Sequence, residues 1–339
     1  MDFDREIAGR ICDRFGLGRA VRWALLGGTR NRNFLLVSTE GTWHVRLRYA
    51  GYCAPERIDF DHRVLTHLCE AGAPVVAPRL CGGLPCWRDQ DRVWEVYPFI
   101  EGRHPRNGDP GDIAAVASAL AQFHESGRRF PDRLDKLGPR GETDPRVLLE
   151  QADRIERDSP DCTGAVTRYR QWIESARARL TDEGFGSLPH TLVHGDVQPA
   201  NALITDDGTV VFVDLDWCAW RPRMYDLAFA LLFCCARRAG PIRGEDIWSL
   251  TQPARLRIGK ARRFLDGYAR RAGGLSDAEL DALRPQMTLS WCHCRLAGAL
   301  KVAPRDRRAF LMRAPRTLSS LFSSRAGEPA IRIGRTDRV

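Results

Sequence analysis

The sequence predicts an α+β fold in two lobes, a small one of antiparallel strands and a larger, mainly helical one. Three observations carry this. Before residue 102, short apolar runs rich in β-branched and aromatic residues alternate with glycine-containing turns. From Ile113 onward, apolar residues recur at helical spacing instead. A single predicted hairpin interrupts the helices of this larger region. It lies in His194–Asp216, reading HGDVQPANALITDDGTVVFVDLD, and carries carboxylates at its open end.

At 339 residues and 43% hydrophobic content, the chain can build two lobes around one cleft. No apolar stretch approaches the roughly 20 residues of a membrane span. The acidic start Met1-Asp2-Phe3-Asp4 lacks the basic-then-apolar order of a signal peptide, so a cytoplasmic protein with no membrane partner is expected. The eleven cysteines include no CxxC pair and read as reduced thiols. The net charge of +9 is carried by arginine, the only lysines being Lys136, Lys260 and Lys301. That charge is dispersed and no nucleic-acid motif accompanies it, so no nucleic-acid partner is expected.

Taken in order, residues 5–15 form an amphipathic helix through Ile7, Ile11 and Phe15, closed by Gly16 and Gly18. Strand chemistry follows: Val21–Leu26, the polar loop Gly27-Gly28-Thr29-Arg30-Asn31-Arg32-Asn33, then Phe34–Ser38. Such a loop can lay backbone amides over phosphates or serve as an ordinary hairpin turn. Gly41-Thr42 turns the chain into Trp43–Tyr49. Pro55–Glu70 is a helix with Ile58, Val64, Leu65 and Leu68 on its apolar face, and Gly72–Pro78 ends it and starts a further strand. Arg92–Gly102 is the last strand of the small lobe, running into a hinge. The small lobe therefore spans 1–102 and the large lobe 103–325, with 326–339 a basic tail expected to be disordered.

In the large lobe, Ile113, Val116, Leu120 and Phe123 form a core stripe with His124 on the next turn. Residues 126–145 read as a long surface loop, 146–182 as one or two helices, and 252–272 and 276–300 as further helices. The hairpin strands are 202–204 and 210–213, joined by a turn containing Asp-Gly. The hairpin brings its open ends together, so Asp196 and Asn201 before it meet Asp214 and Asp216 after it. A carboxylate, an amide oxygen and a second carboxylate can orient a hydroxyl proton while holding a hard divalent cation.

His194-Gly195-Asp196, Asn201, Val213-Asp214 and Tyr225-Asp226-Leu227-Ala228 resemble the signature of the aminoglycoside phosphotransferase family. The block runs from His194 to about Leu232, with weaker matches over about 24–125. The resemblance implies a bilobal protein-kinase-like fold that transfers the ATP γ-phosphoryl group to a small-molecule hydroxyl, with Mg2+; GTP is the alternative donor. Asp196 then corresponds to the general base, and Asn201 and Asp214 to the metal ligands. His194 and Asp226 hold the catalytic loop, and Asp216 stands behind the metal ligands or joins them.

On the nucleotide side the resemblance points to Gly28 and Asn31 in the phosphate loop, and to Glu95, Val96 and Tyr97 as the adenine-contacting strand. The third-strand cation, usually lysine, is Arg46, with Arg48 as alternative. Its partner on the helix, usually glutamate, is Asp61, or else Glu56. Trp217, Trp220, Trp291, His293 and Arg295 are the acceptor-site candidates. Being aromatic or basic, they favour a neutral, anionic or aromatic acceptor over a polycationic one. The competing readings are a kinase of a peptide or protein hydroxyl and a nucleotide-binding pseudokinase. The aspartate at the usual glutamate position is the pseudokinase's sole support.

Overall fold

The computed structural model describes residues 3–28, 30–106, 108–132, 136, 138–243 and 246–313. The expected basic tail 326–339 lies outside them. Helix α1 (Arg5–Phe15) precedes strands β1 (Ala20–Gly27), β2 (Arg32–Ser38) and β3 (Gly41–Leu47). Helix α2 (Pro55–Glu70) and strands β4 (Trp87–Asp89) and β5 (Arg92–Pro98) complete the small lobe. Its sheet is antiparallel in the order β1-β2-β3-β5-β4.

Strand alternation assigns its two faces. Phe34, Leu36, Val45, Trp94 and Val96 pack outward under Ile7, Ile11 and Phe15 of α1, a helix capped by Asp4 and ended by left-handed Gly16. Arg46, Arg48 and Glu95 therefore share the inner face. The apolar stripe of α2, Phe60, Val64 and Leu68, joins the core of the large lobe and so ties the lobes together.

The strand expected after Pro74 does not form. Pro74 and Pro78 bring no N–H to a ladder, and Arg79 alone reaches β5, donating to the Val96 carbonyl at 2.6 Å.

The large lobe contains α3 (Pro110–Gly127), α4 (Pro145–Asp158), α5 (Thr163–Arg179), the short α6 (Asp182–Gly186), and strands β6 (His190–Val193), β7 (Ala202–Ile204), β8 (Val210–Phe212) and β9 (Ala219–Pro222). Then come α7 (Met224–Cys234), strands β10 (Ala236–Arg238) and β11 (Ala254–Leu256), and helices α8 (Ile258–Ala272), α9 (Asp277–Ala299) and α10 (Pro304–Met312).

The predicted hairpin is β7–β8, in register Ala202 to Phe212. Two expectations need correction. The helix expected from 252 starts at Ile258, because 254–256 pair with 236–238 as a strand. The segment after Asp216 contains β9, which pairs with β6 and brackets the loop that begins at His194. The supposed surface loop 126–145 includes a tight turn, Gly141–Thr143, with both its glycine and its threonine buried. Helix α7 is buried along its whole length, which explains a sequence apolar on every face.

Candidate functional site

The loop between β6 and β7 carries His194 to Asn201 and is fastened at both ends. Asp226, in the first turn of α7, accepts the backbone N–H groups of His194 at 2.6 Å and Gly195 at 2.8 Å. The same carboxylate meets His124 Nε2 at 2.9 Å, and His124 Nδ1 lies 2.7 Å from the Tyr268 hydroxyl. His194 is fully buried; its Nε2 donates to the Val213 carbonyl at 3.0 Å, and its Nδ1 accepts the Asp196 N–H at 3.3 Å. His194 thus joins the loop to the far end of the hairpin and turns neither nitrogen to the cleft.

Gly195 has φ +85°, and a Cβ there would lie 2.4 Å from the Trp217 carbonyl oxygen. Gly195→Ala is expected to destabilise the protein by roughly 2–4 kcal/mol, the left-handed penalty added to overpacking against backbone. An unchanged thermal midpoint would contradict this tight approach.

Asn201 turns its amide nitrogen onto Asp196, donating to Oδ2 at 2.8 Å and to the backbone carbonyl at 3.0 Å, so its own Oδ1 points away from Asp196. Gln198 donates to the same Oδ2 at 2.9 Å, and Asp196 Oδ1 takes none of these bonds. Burial pushes the Asp196 carboxyl above its usual range, against the pull of those amides.

Asp214 is one of two non-glycine residues with positive φ among those described, at +63°. Its carboxyl is pushed up to about 7 by desolvation and by the Asp216 carboxylate. Since 48% of its side chain meets solvent, repulsion by Asp216 is the cause that persists there. Asp216 is instead held low, against the effect of burial, by Arg46 and Arg48, and it also accepts Asn31 Nδ2 at 2.5 Å.

Among the described residues, no three His, Cys, Asp or Glu side chains gather to enclose a metal. The buried Asn201 amide oxygen and the half-exposed Asp214 carboxylate would suit a cation that shares its remaining ligands with phosphates.

On the small-lobe side, Arg46 donates through Nε to Glu95 at 2.7 Å and directs Nη1 and Nη2 to Asp214 at 3.5 Å and Asp216 at 3.1 Å. The expected pairing of Arg46 with Asp61 or Glu56 is not present. Asp61 pairs with Arg48 and with Lys136 from the large lobe.

Glu95, Val96 and Tyr97 also require correction as adenine contacts. All three lie opposite β3 within the sheet, the Val96 carbonyl is taken by Arg79, the Val96 side chain is in the outer core, and the Glu95 carboxylate is fully buried among cations. Phe99 still donates to the Thr42 carbonyl, at 3.1 Å, and the described backbone hydrogen bonds use neither Ile100 nor Glu101 beyond it. Gly28 has φ +121°, and a Cβ would sit 2.0 Å from the Asn31 carbonyl oxygen, so the loop turn requires glycine. Asn31 points inward, bridging Asp216 and the Tyr49 N–H.

The acceptor candidates divide by helix face. Trp291 and Arg295, four residues apart on α9, both turn into the core; Arg295 donates to the Leu250 carbonyl at 2.9 Å and to the Phe310 carbonyl. They are structural, and so removed from the acceptor candidates. His293, between them in sequence, lies on the opposite face and meets Glu142 at 3.0 Å. Trp217 sits at the cleft against Tyr52, with the Arg30 and Arg57 guanidiniums 5.3 and 5.9 Å from its ring. Trp220 is half-buried on β9, packed against the large-lobe core.

Sequence reasoning missed Glu142, Lys136 and Arg57. Glu142 is held low, against burial, by His293, Arg30 and Arg221, and its charge in turn raises Asp196. Arg57 Nη2 and Lys136 Nζ both donate to the Asp216 carbonyl, at 3.0 and 3.2 Å. Lys136 had a usable signal, as the one lysine before residue 260 in an arginine-rich chain.

A profile of the phosphotransferase enzyme family matches residues 24–273. Among similar proteins, a homoserine kinase of Bradyrhizobium sp. (strain ORS 278) is 29% identical over 258 residues, covering 76% of this chain and 72% of that one. A homoserine kinase of Acidiphilium cryptum (strain JF-5) is 26% identical over 272 residues, covering 79% and 77%. The solved structure of a microcompartment-associated aminopropanol kinase superposes with a TM-score of 0.66 at 17% identity, over 93% of this chain and 96% of that one. An aminoglycoside phosphotransferase from Alicyclobacillus acidocaldarius gives 0.61 at 18% identity, over 89% of each. These structures share the bilobal kinase-like fold. With the profile spanning most of the sequence, and the fold and the fastened HGD loop in place, the chain belongs to the phosphotransferase enzyme family.

Proposed function

We propose that this protein is a small-molecule kinase that moves the γ-phosphoryl group of ATP to a hydroxyl, with Asp196 as general base. The observation that carries the reading is the presentation of Asp196 by the Asn201 and Gln198 amides opposite Asp214, on a loop fastened by Asp226. Asp196 orients the acceptor hydroxyl and takes its proton late in transfer, Oδ1 being the oxygen left to the cleft. Arg46 directs its two Nη groups toward the place where the nucleotide's phosphates would lie. The hinge backbone at Ile100 and Glu101 takes the adenine edge in place of residues 95–97. Mg2+, held by Asn201 and Asp214, would supply charge neutralisation on the phosphates.

The acceptor we favour is compact and carries an amine near its hydroxyl. Glu142, whose charge is felt at Asp196 and which is partly open to solvent, suits an ammonium, and the sequence relatives bear the name homoserine kinase. This replaces the preference for neutral, anionic or aromatic acceptors, two of whose five supporting residues, Trp291 and Arg295, face the core. Incubation with ATP, Mg2+ and a panel of hydroxy amino acids, amino alcohols and aminoglycosides, followed by mass spectrometry, tests it. Phosphorylation within the first two classes is expected; phosphorylation of aminoglycosides alone would overturn the acceptor assignment.

Metal binding should also depend on pH in a definite direction. A carboxyl raised from 3.8 to about 7 is disfavoured as the anion in the folded protein, so its cost to stability appears as pH rises from about 4 to about 7 and is complete above that. Mg2+ relieves this cost. The stabilisation by Mg2+ with a nucleotide, read as a thermal shift, should therefore grow from pH 5.5 to 7.5 and level off, and Asp214→Asn should flatten it.

A further inference from the structure

In kinase-like folds the third-strand cation is ordinarily aimed by an acid on the neighbouring helix. Here that acid, Asp61, is engaged elsewhere, by Arg48 and by Lys136 across the lobes. The carboxylate that meets Arg46 at its Nε is Glu95, the residue directly opposite on β5. Glu95 is completely buried, and both its oxygens are used. Oε2 accepts Arg46 Nε at 2.7 Å and the Tyr97 hydroxyl at 3.2 Å, while Oε1 accepts Arg48 Nη1 at 2.7 Å and meets His62 Nε2 at 2.8 Å.

A guanidinium is planar, so one short bond at Nε restricts the directions that both Nη groups can take. They fall on Asp214 and Asp216 at the edge of the cleft. A cross-strand neighbour is rigid relative to β3, because the ladder itself sets their separation. A helix residue has to be carried into place by movement of the whole helix.

We infer that Glu95 is the positioning residue for Arg46, aiming its guanidinium at the nucleotide phosphates, and that Asp61 has given up this task to serve as a latch between the lobes through Lys136. The inference rests on the kinase reading above, but its test needs no acceptor. Nucleotide affinity is measured by titration for ATP, and for AMP, which lacks the β- and γ-phosphates, with the thermal midpoint checked for every variant.

Glu95→Gln is expected to weaken ATP binding by roughly 10- to 100-fold, the effect of one lost charge-assisted hydrogen bond, with AMP binding nearly unchanged. Asp61→Asn should weaken ATP binding less than Glu95→Gln does. In an Arg46→Ala background, Glu95→Gln should add little, because its target is gone. If Glu95→Gln does not fold, Glu95→Asp, which retains the charge but retracts it by one methylene, takes its place with the same expected order. The inference is overturned if Asp61→Asn matches or exceeds the Glu95 variant, if ATP and AMP affinities fall together, or if the Arg46 and Glu95 effects add. Failure of the kinase reading would show differently, as ATP binding without phosphorylation of any acceptor.

Discussion

Asp196→Asn is expected to lower turnover by about 10²- to 10⁴-fold, the usual worth of a positioned general base, while ATP affinity changes little. The asparagine carbonyl can occupy the place of Oδ2 and still accept the Gln198 and Asn201 amides, so the loop should keep its shape. What is lost is an oxygen able to take a proton. Single-turnover rates beside a nucleotide titration separate the two effects. Near-normal turnover would mean that the base is another group, Glu142 being a carboxylate whose charge reaches Asp196.

Asp226→Ala should be the most damaging change to the loop itself. It leaves the N–H groups of His194 and Gly195 and the Nε2 of His124 facing a buried void where one carboxylate had met all three. Removing one side of such a buried pair costs roughly 3–5 kcal/mol. The expected result is a correspondingly lower denaturant midpoint, with activity lost even in the fraction that stays folded, because the Asp196 loop is released. Asp226→Asn should be milder in stability, but its amide nitrogen would face a donor. An unchanged midpoint for Asp226→Ala would remove Asp226 from its scaffolding role.

Periodicity sufficed for the long elements. The helices at 5–15 and 55–70 fall at the residues their caps and stripes indicate, since Asp4, Gly16 and Pro55 are local signals. The hairpin was legible for the same reason, its Asp-Gly turn lying between two apolar runs. The fold class followed from these, and the family signature carried it to a kinase-like arrangement.

What local sequence could not supply was register and rotation. Glu95 reads as an ordinary strand residue until the β3–β5 ladder sets it opposite Arg46. Trp291 and Arg295 read as cleft residues until α9 is docked with that face inward and His293 outward. Asp61 and Lys136 are 75 positions apart, and no local pattern announces an ion pair between lobes. The segment 72–78 shows the reverse case, where apolar residues suggested a strand that its prolines do not permit.

The central claim, an acceptor-directed kinase using Asp196 and Asp214, is tested most directly by nucleotide consumption measured with and without a pool of hydroxyl compounds, with Mg2+ present or chelated. ADP release that requires both the pool and Mg2+, and that disappears in Asp196→Ala and Asp214→Ala, is the predicted result. ADP release that persists in both variants, or bound ATP that no pool consumes, would contradict it.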